Sequence, residues 1–171
     1  AEEAARLGVD MLVLDDGWFG KRDDDCSGLG DWFVNEQKLR GGLGTLVQKV
    51  KALGMRFGIW FEPEMISEDS DLYRTHPDWA IQIPGRNPMR SRYQLLLDLS
   101  NPDVQDYLYE RISAILNSAD ISYVKWDMNR NFSDIYSPYL PAAKQGETAH
   151  RYVLGLYHIM DELTTCFPEI L

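Results

Sequence analysis

The chain has 171 residues, 17 Lys and Arg against 27 Asp and Glu, and a formal net charge of -10. That balance excludes a nucleic-acid binder, which needs clustered cations to displace counterions from phosphates, while leaving neutral ligands such as sugars open. No apolar run reaches the roughly 18 residues of a membrane span, and two distant cysteines, Cys26 and Cys166, support neither a disulfide framework nor a zinc site.

Residues 1–8 read as the tail of an amphipathic helix and residues 164–171 as a helix exit running into a strand, so an internal fragment of a larger enzyme is expected. Val9 to Leu14 forms the first strand candidate and leads into Asp15-Asp16-Gly17-Trp18. The long segment that follows opens with Asp23-Asp24-Asp25-Cys26-Ser27-Gly28, which starts like a calcium loop. Its twelfth position is Val34 where a bidentate Glu is required, and His76, His150 and His158 share no ligand spacing, so no metal and no cofactor are expected. Leu43, Leu46, Val47, Val50 and Leu53 follow helical spacing, with Gly54 placed to stop the helix in a left-handed residue.

Arg56 to Phe61 is the second strand candidate and runs into Glu62-Pro63-Glu64. A second long segment then carries Arg90 and Arg92. Asn101-Pro102-Asp103 reads as an N-cap, a first-turn proline and an acidic first turn, followed by Val104, Leu108, Ile112 and Ile115 on one face. The third strand candidate, Ile121 to Trp126, ends at Asp127. A last helix over about 147–163 is expected to bury Val153, Leu156, Tyr157, Met160 and Leu163.

Strict alternation of helix and strand calls for a parallel sheet covered by helices. The long segments 17–42 and 62–98 both follow strand ends, whereas helix-to-strand links such as Gly54-Met55 are short, the asymmetry of a barrel enzyme with its loops at the carboxyl ends of its strands. No glycine-rich phosphate turn favours an open doubly wound sheet. The expected class is α/β, a partial TIM (β/α)8 barrel with roughly half of the barrel present, as one catalytic-domain fragment over 1–171 without an internal boundary.

Each strand candidate ends in carboxylates. Adjacent Asp15 and Asp16 repel one another and lose hydration, a cost that a ligand with hydroxyl donors offsets. Lys125, Asp127 and Asn129 alternate along one strand end and so share a side. A cation, a carboxylate and an amide at one point suit a sugar-cleaving site, in which the carboxylate attacks the anomeric carbon and the ammonium keeps it ionised. Of the five tryptophans, Trp18 and Trp60 lie beside acids and are the better candidates for stacking on a sugar face. Arg92 is the loop cation placed to offset the negative charge.

The ordered set Leu14-Asp15-Asp16-Gly17-Trp18-Phe19, Gly58-Ile59-Trp60-Phe61-Glu62-Pro63-Glu64-Met65, His76-Pro77-Asp78-Trp79, Leu97-Asp98-Leu99-Ser100-Asn101-Pro102 and Lys125-Trp126-Asp127-Met128-Asn129-Arg130 resembles the catalytic domain of glycoside hydrolase family 36 α-galactosidases. The resemblance implies a retaining hydrolase that releases terminal α-linked galactose from small oligosaccharides such as melibiose or raffinose. It implies Asp127 as nucleophile, Asp15 and Asp16 on the galactose 4- and 6-hydroxyls, Trp60 as a wall, and Arg92, Lys125 and Asn129 as further sugar-binding positions. The family's acid/base Asp is expected beyond residue 171, so the fragment alone is expected to be inactive. Alternatives are an α-N-acetylgalactosaminidase, a family 31-like α-glucosidase and, in another class, a non-catalytic carbohydrate-binding barrel. Two free thiols point to a cytoplasmic location, with no membrane partner, and the full-length protein is expected to form a homo-oligomer.

Overall fold

Short apolar strands alternating with amphipathic helices give, in a computed structural model describing residues 1–171, the order α1 (Glu2–Arg6), β1 (Met11–Leu14), α2 (Gly42–Ala52), β2 (Arg56–Phe61), β3 (Met65–Ile66), α3 (Asp71–Thr75), β4 (Leu95–Leu96), α4 (Pro102–Ser118), β5 (Tyr123–Trp126) and α5 (Thr148–Cys166). The main sheet has the order β1-β2-β5, all parallel, with Leu14 opposite Ile59 and Phe61 opposite Trp126. Two expected strands start later than read: Val9 and Asp10 precede β1, and Ile121 and Ser122 precede β5. The fold is therefore α/β with helical crossovers, and the register brings the carboxyl ends of three strands to one level.

β2 is the middle strand, and from Phe57 to Phe61 every residue is buried, as a strand covered on both faces requires. Of the five residues read on its face, α2 buries Leu43, Val47 and Val50, Leu46 is half-buried and Leu53, just past the helix end, is exposed; Gly54 follows at φ +81°, as the spacing predicts. α4 begins as read, with the Asn101 side chain accepting from the Asp103 amide at 3.0 Å and Pro102 in the first turn, where no N–H is missed.

The two long segments after β1 and β2 are folded rather than loose. Residues 17–35 double back, with the Gly20 amide donating to Phe33 O and the Asn35 amide to Trp18 O. Residues 62–98 carry the antiparallel pair β3–β4 and the short helix α3, capped by Ser70. Neither short strand is visible in sequence, because two residues carry no periodicity.

The last helix corrects its expected face. α5 buries Thr148, Tyr152, Gly155, Ile159 and Leu163, whereas Val153 and Tyr157 are exposed. Gly155 explains the phase: a Cβ there would lie 1.9 Å from Leu99 O and 2.8 Å from Gln105 Nε2. The docking face is the one that has no side chain at the contact, which a hydrophobicity pattern does not register. No helix is long and apolar enough to cross a membrane.

Candidate active site

Asp127 lies one residue past β5, and its amide donates to Phe61 O at 2.8 Å, so the sheet ladder fixes its backbone. Oδ2 accepts from Trp60 Nε1 at 2.9 Å and from Asn129 Nδ2 at 2.8 Å, while Oδ1 accepts from the Met128 amide at 3.0 Å. Lys125, two residues earlier on the same side of the strand, donates to Asp15 Oδ2 at 2.9 Å across the sheet from β1. Asp15, Trp60, Lys125, Asp127 and Asn129 are thus brought together by three strand ends.

Burial pushes the Asp127 carboxyl up, but the donors Trp60, Asn129 and Met128, followed by the Lys125 charge, outweigh it and hold the group below its ordinary value. The sequence predicts that Lys125 keeps Asp127 ionised. In the structure the larger share falls to neutral donors, and the ammonium hydrogen-bonds Asp15 instead. That bond, with one from the Asp16 amide, holds Asp15 low as well, and the same bond raises Lys125.

Asp16 makes no hydrogen bond to Lys125, Asp127 or Asn129. Its carboxylate is gripped by Arg22, with Nε at 3.0 Å from Oδ1 and Nη2 at 2.9 Å from Oδ2. Arg22 is 5% exposed and donates its remaining arm to Ser27 O at 2.9 Å, so the loop after β1 sets the Asp16 orientation. Arg92 is exposed, sits at φ +51° and makes no hydrogen bond, although its charge acts on Glu62.

The stacking expectation for Trp18 is corrected: it is 2% exposed, packs edge-on against Phe19 and Phe61, and donates to Trp60 O. Trp60 is 3% exposed and enters the site through its N–H edge, its ring lying among Phe19 and Trp32. A run of aromatics around an apolar strand is first of all core.

Sequence reasoning missed Glu62, Gln94 and Arg22. Glu62 is 1% exposed and accepts from the Asn129 amide at 2.7 Å and from Gln94 Nε2 at 3.2 Å, and burial pushes its carboxyl up. An acid closing the central strand was a signal for Glu62. Nothing local marks the other two. Asp16 is expected on a substrate hydroxyl, and replacing Arg22 with Met frees the Asp16 carboxylate to rotate. Loss of that one charged hydrogen bond to substrate, about 1.5 kcal/mol, is expected to raise KM about tenfold, with kcat little changed, in steady-state kinetics of the full-length protein.

The melibiase family model matches residues 1–171, the whole length described. The chain belongs to the melibiase family. Among its melibiase relatives, alpha-galactosidase AgaA of Geobacillus stearothermophilus is 57% identical over 171 residues, which are 100% of this chain and 24% of AgaA. The bifunctional alpha-galactosidase/sucrose kinase AgaSK of Mediterraneibacter gnavus is 55% identical over 100% of this chain and 17% of its own length. The crystal structure of GH36 alpha-galactosidase AgaB from Geobacillus stearothermophilus superposes with a TM-score of 0.97 at 57% identity, covering 99% of this chain and 24% of that one. An AgaA variant in complex with raffinose superposes at 0.96, with 56% identity and the same coverage. The chain thus spans about a quarter or less of the length of these melibiase relatives.

Proposed function

We propose that this chain carries the nucleophile half of a retaining α-galactosidase site, with Asp127 as nucleophile, inside a (β/α)8 barrel of which residues 1–171 are one undivided part. The observation that carries the reading is the Asp127 carboxylate accepting from Trp60 and Asn129 beside the Lys125–Asp15 pair, at the carboxyl ends of three parallel strands. Active sites of barrel enzymes occupy that face. The parallel order and the segments elaborated only after strand ends support the barrel, and the raffinose complex of the AgaA variant supports a small oligosaccharide as substrate.

In the proposed reaction an Asp127 oxygen bonds to the anomeric carbon of a terminal α-linked galactose as the glycosidic C–O bond breaks. The leaving oxygen takes a proton from a carboxylic acid sought beyond residue 171, and water then cleaves the galactosyl-enzyme with that acid acting as base. Retention needs the two carboxyls roughly 5 to 5.5 Å apart. Asp15 and Asp16 accept from the galactose 4- and 6-hydroxyls. Lys125 has two ammonium protons left for the sugar, Asn129 and Arg92 bind neighbouring hydroxyls, and the N–H edge of Trp60 forms part of the wall. No cofactor or metal enters this scheme. A homo-oligomer in the cytoplasm is the setting proposed for the full-length protein.

The full-length protein is expected to hydrolyse an aryl α-galactoside in preference to the matching α-N-acetylgalactosaminide and α-glucoside, and a fluorinated galactosyl trapping reagent is expected to label the Asp127 peptide. Faster turnover of either competitor reassigns the sugar. Tight galactoside binding with neither turnover nor labelling makes the protein a carbohydrate binder instead.

A further inference from the structure

We infer that Glu62 is a positioning residue for the nucleophile, acting through Asn129 by holding the turn that aims the Asn129 amide at Asp127. The inference rests on Asp127 being the nucleophile, as proposed above. β5 ends at Trp126, and the Asp127 amide makes the last bond of the ladder, to Phe61 O. A continued parallel ladder would send the Asn129 amide to Pro63 O. It goes instead to Glu62 Oε1 at 2.7 Å. The side chain of Glu62 thus replaces a backbone acceptor where the strand leaves the sheet, and the Asn129 side chain, freed to turn back, donates to Asp127 Oδ2.

The other Glu62 oxygen ties this turn to a second segment. Oε2 accepts from Gln94 Nε2, and the main-chain oxygen of Gln94 accepts from Arg130 Nη1, so Asn129 and Arg130 at the far end of the turn are tied, through Glu62 and Gln94, to the start of β4. No cation hydrogen-bonds Glu62. A carboxylate 1% exposed and served by neutral donors is a costly way to satisfy one amide, unless its position is what is needed.

The alternative is that Glu62 acts by charge, and the two roles differ in sign. The charged groups that face Asp127 and Glu62 are Lys125 on β5 itself, Asp15 after β1, Glu62 after β2 and, toward Glu62, Arg92 from the loop before β4. The Asn129 hydrogen bond lowers Asp127, so losing it moves the nucleophile up; removing a nearby negative charge moves it down. In the full-length protein, Glu62→Ala is expected to lower kcat/KM for an aryl α-galactoside by about ten- to a hundredfold, per site titrated with the trapping reagent, and to shift the acid limb of the pH profile to higher pH. Glu62→Gln keeps a carbonyl acceptor for the Asn129 amide. Its new N–H₂ finds the otherwise unpartnered Gln94 Oε1 once that amide turns, so the acid limb is expected to stay in place and most of the rate to return. An acid limb that moves to lower pH in both variants, or one unmoved in Glu62→Ala, overturns the inference. A wild-type protein with no galactoside turnover overturns the functional reading beneath it, whereas an active wild type with an unshifted Glu62→Ala overturns the inference alone.

Discussion

Asp127→Gly in the full-length protein is expected to lower galactoside turnover by about 10⁴-fold or more, the scale of removing a group that bonds to substrate. The hydrogen bonds around the site make this more than loss of one contact. Trp60 Nε1 and Asn129 Nδ2 converge on the Asp127 carboxylate, so the variant leaves two oriented donors around a vacated space. A small anion such as azide fits that space and those donors. In the presence of azide the variant should regain part of its rate on an activated α-galactoside and release β-galactosyl azide, because the anion attacks from the face the carboxylate used and no second displacement follows. The product configuration is read by NMR. Activity in Asp127→Gly near the wild-type level, or rescue with the α-azide as product, would remove Asp127 from the role of nucleophile.

Gly155→Ala is expected to have the largest effect on stability of any Gly→Ala change in the chain. The added Cβ would lie 1.9 Å from a main-chain oxygen, that of Leu99, which has no rotamer with which to move away. Overpacking costs about 1–3 kcal/mol where side chains are able to adjust, and here α5 itself must lift from the 99–105 segment. The Gln105 side chain, which donates to that same Leu99 oxygen at 2.7 Å, is displaced as well. The expected result is a urea midpoint lowered by an amount at or above the top of that range, with the slope unchanged. Val153→Ala is the control: Val153 lies on the exposed side of α5, and a change within about 0.5 kcal/mol is expected there. Equal midpoints for the two variants would show that the Gly155 approach does not limit stability.

Much of the site was legible because acids at the ends of parallel strands meet wherever the strands pair. Asp15, Lys125 and Asp127 follow from runs of apolar β-formers and a two-residue repeat, and α2 and α4 announce themselves by spacing, cap and stop. Trp18 was misread because a tryptophan beside an acid has the same sequence signature whether its ring faces a sugar or a core. The α5 face was misread because the strongest local feature, a stripe of large apolar residues, yielded to a contact made by a residue without a side chain.

The sequence by itself therefore determined the three main-sheet strands and the helices that alternate with them, the parallel sheet they require and the acidic residues delivered to one end of it, all of which depend on patterns within a few residues. Only the tertiary structure decided how the delivered groups share their hydrogen bonds. It pairs Lys125 with Asp15 across 110 positions, turns Asp16 to Arg22, and sets Glu62 beneath Asn129 across 67. The reason is physical: periodicity reports which side of a strand or helix a residue occupies, whereas a hydrogen bond requires a donor and acceptor within about 3 Å, a condition that exists only after distant segments have packed.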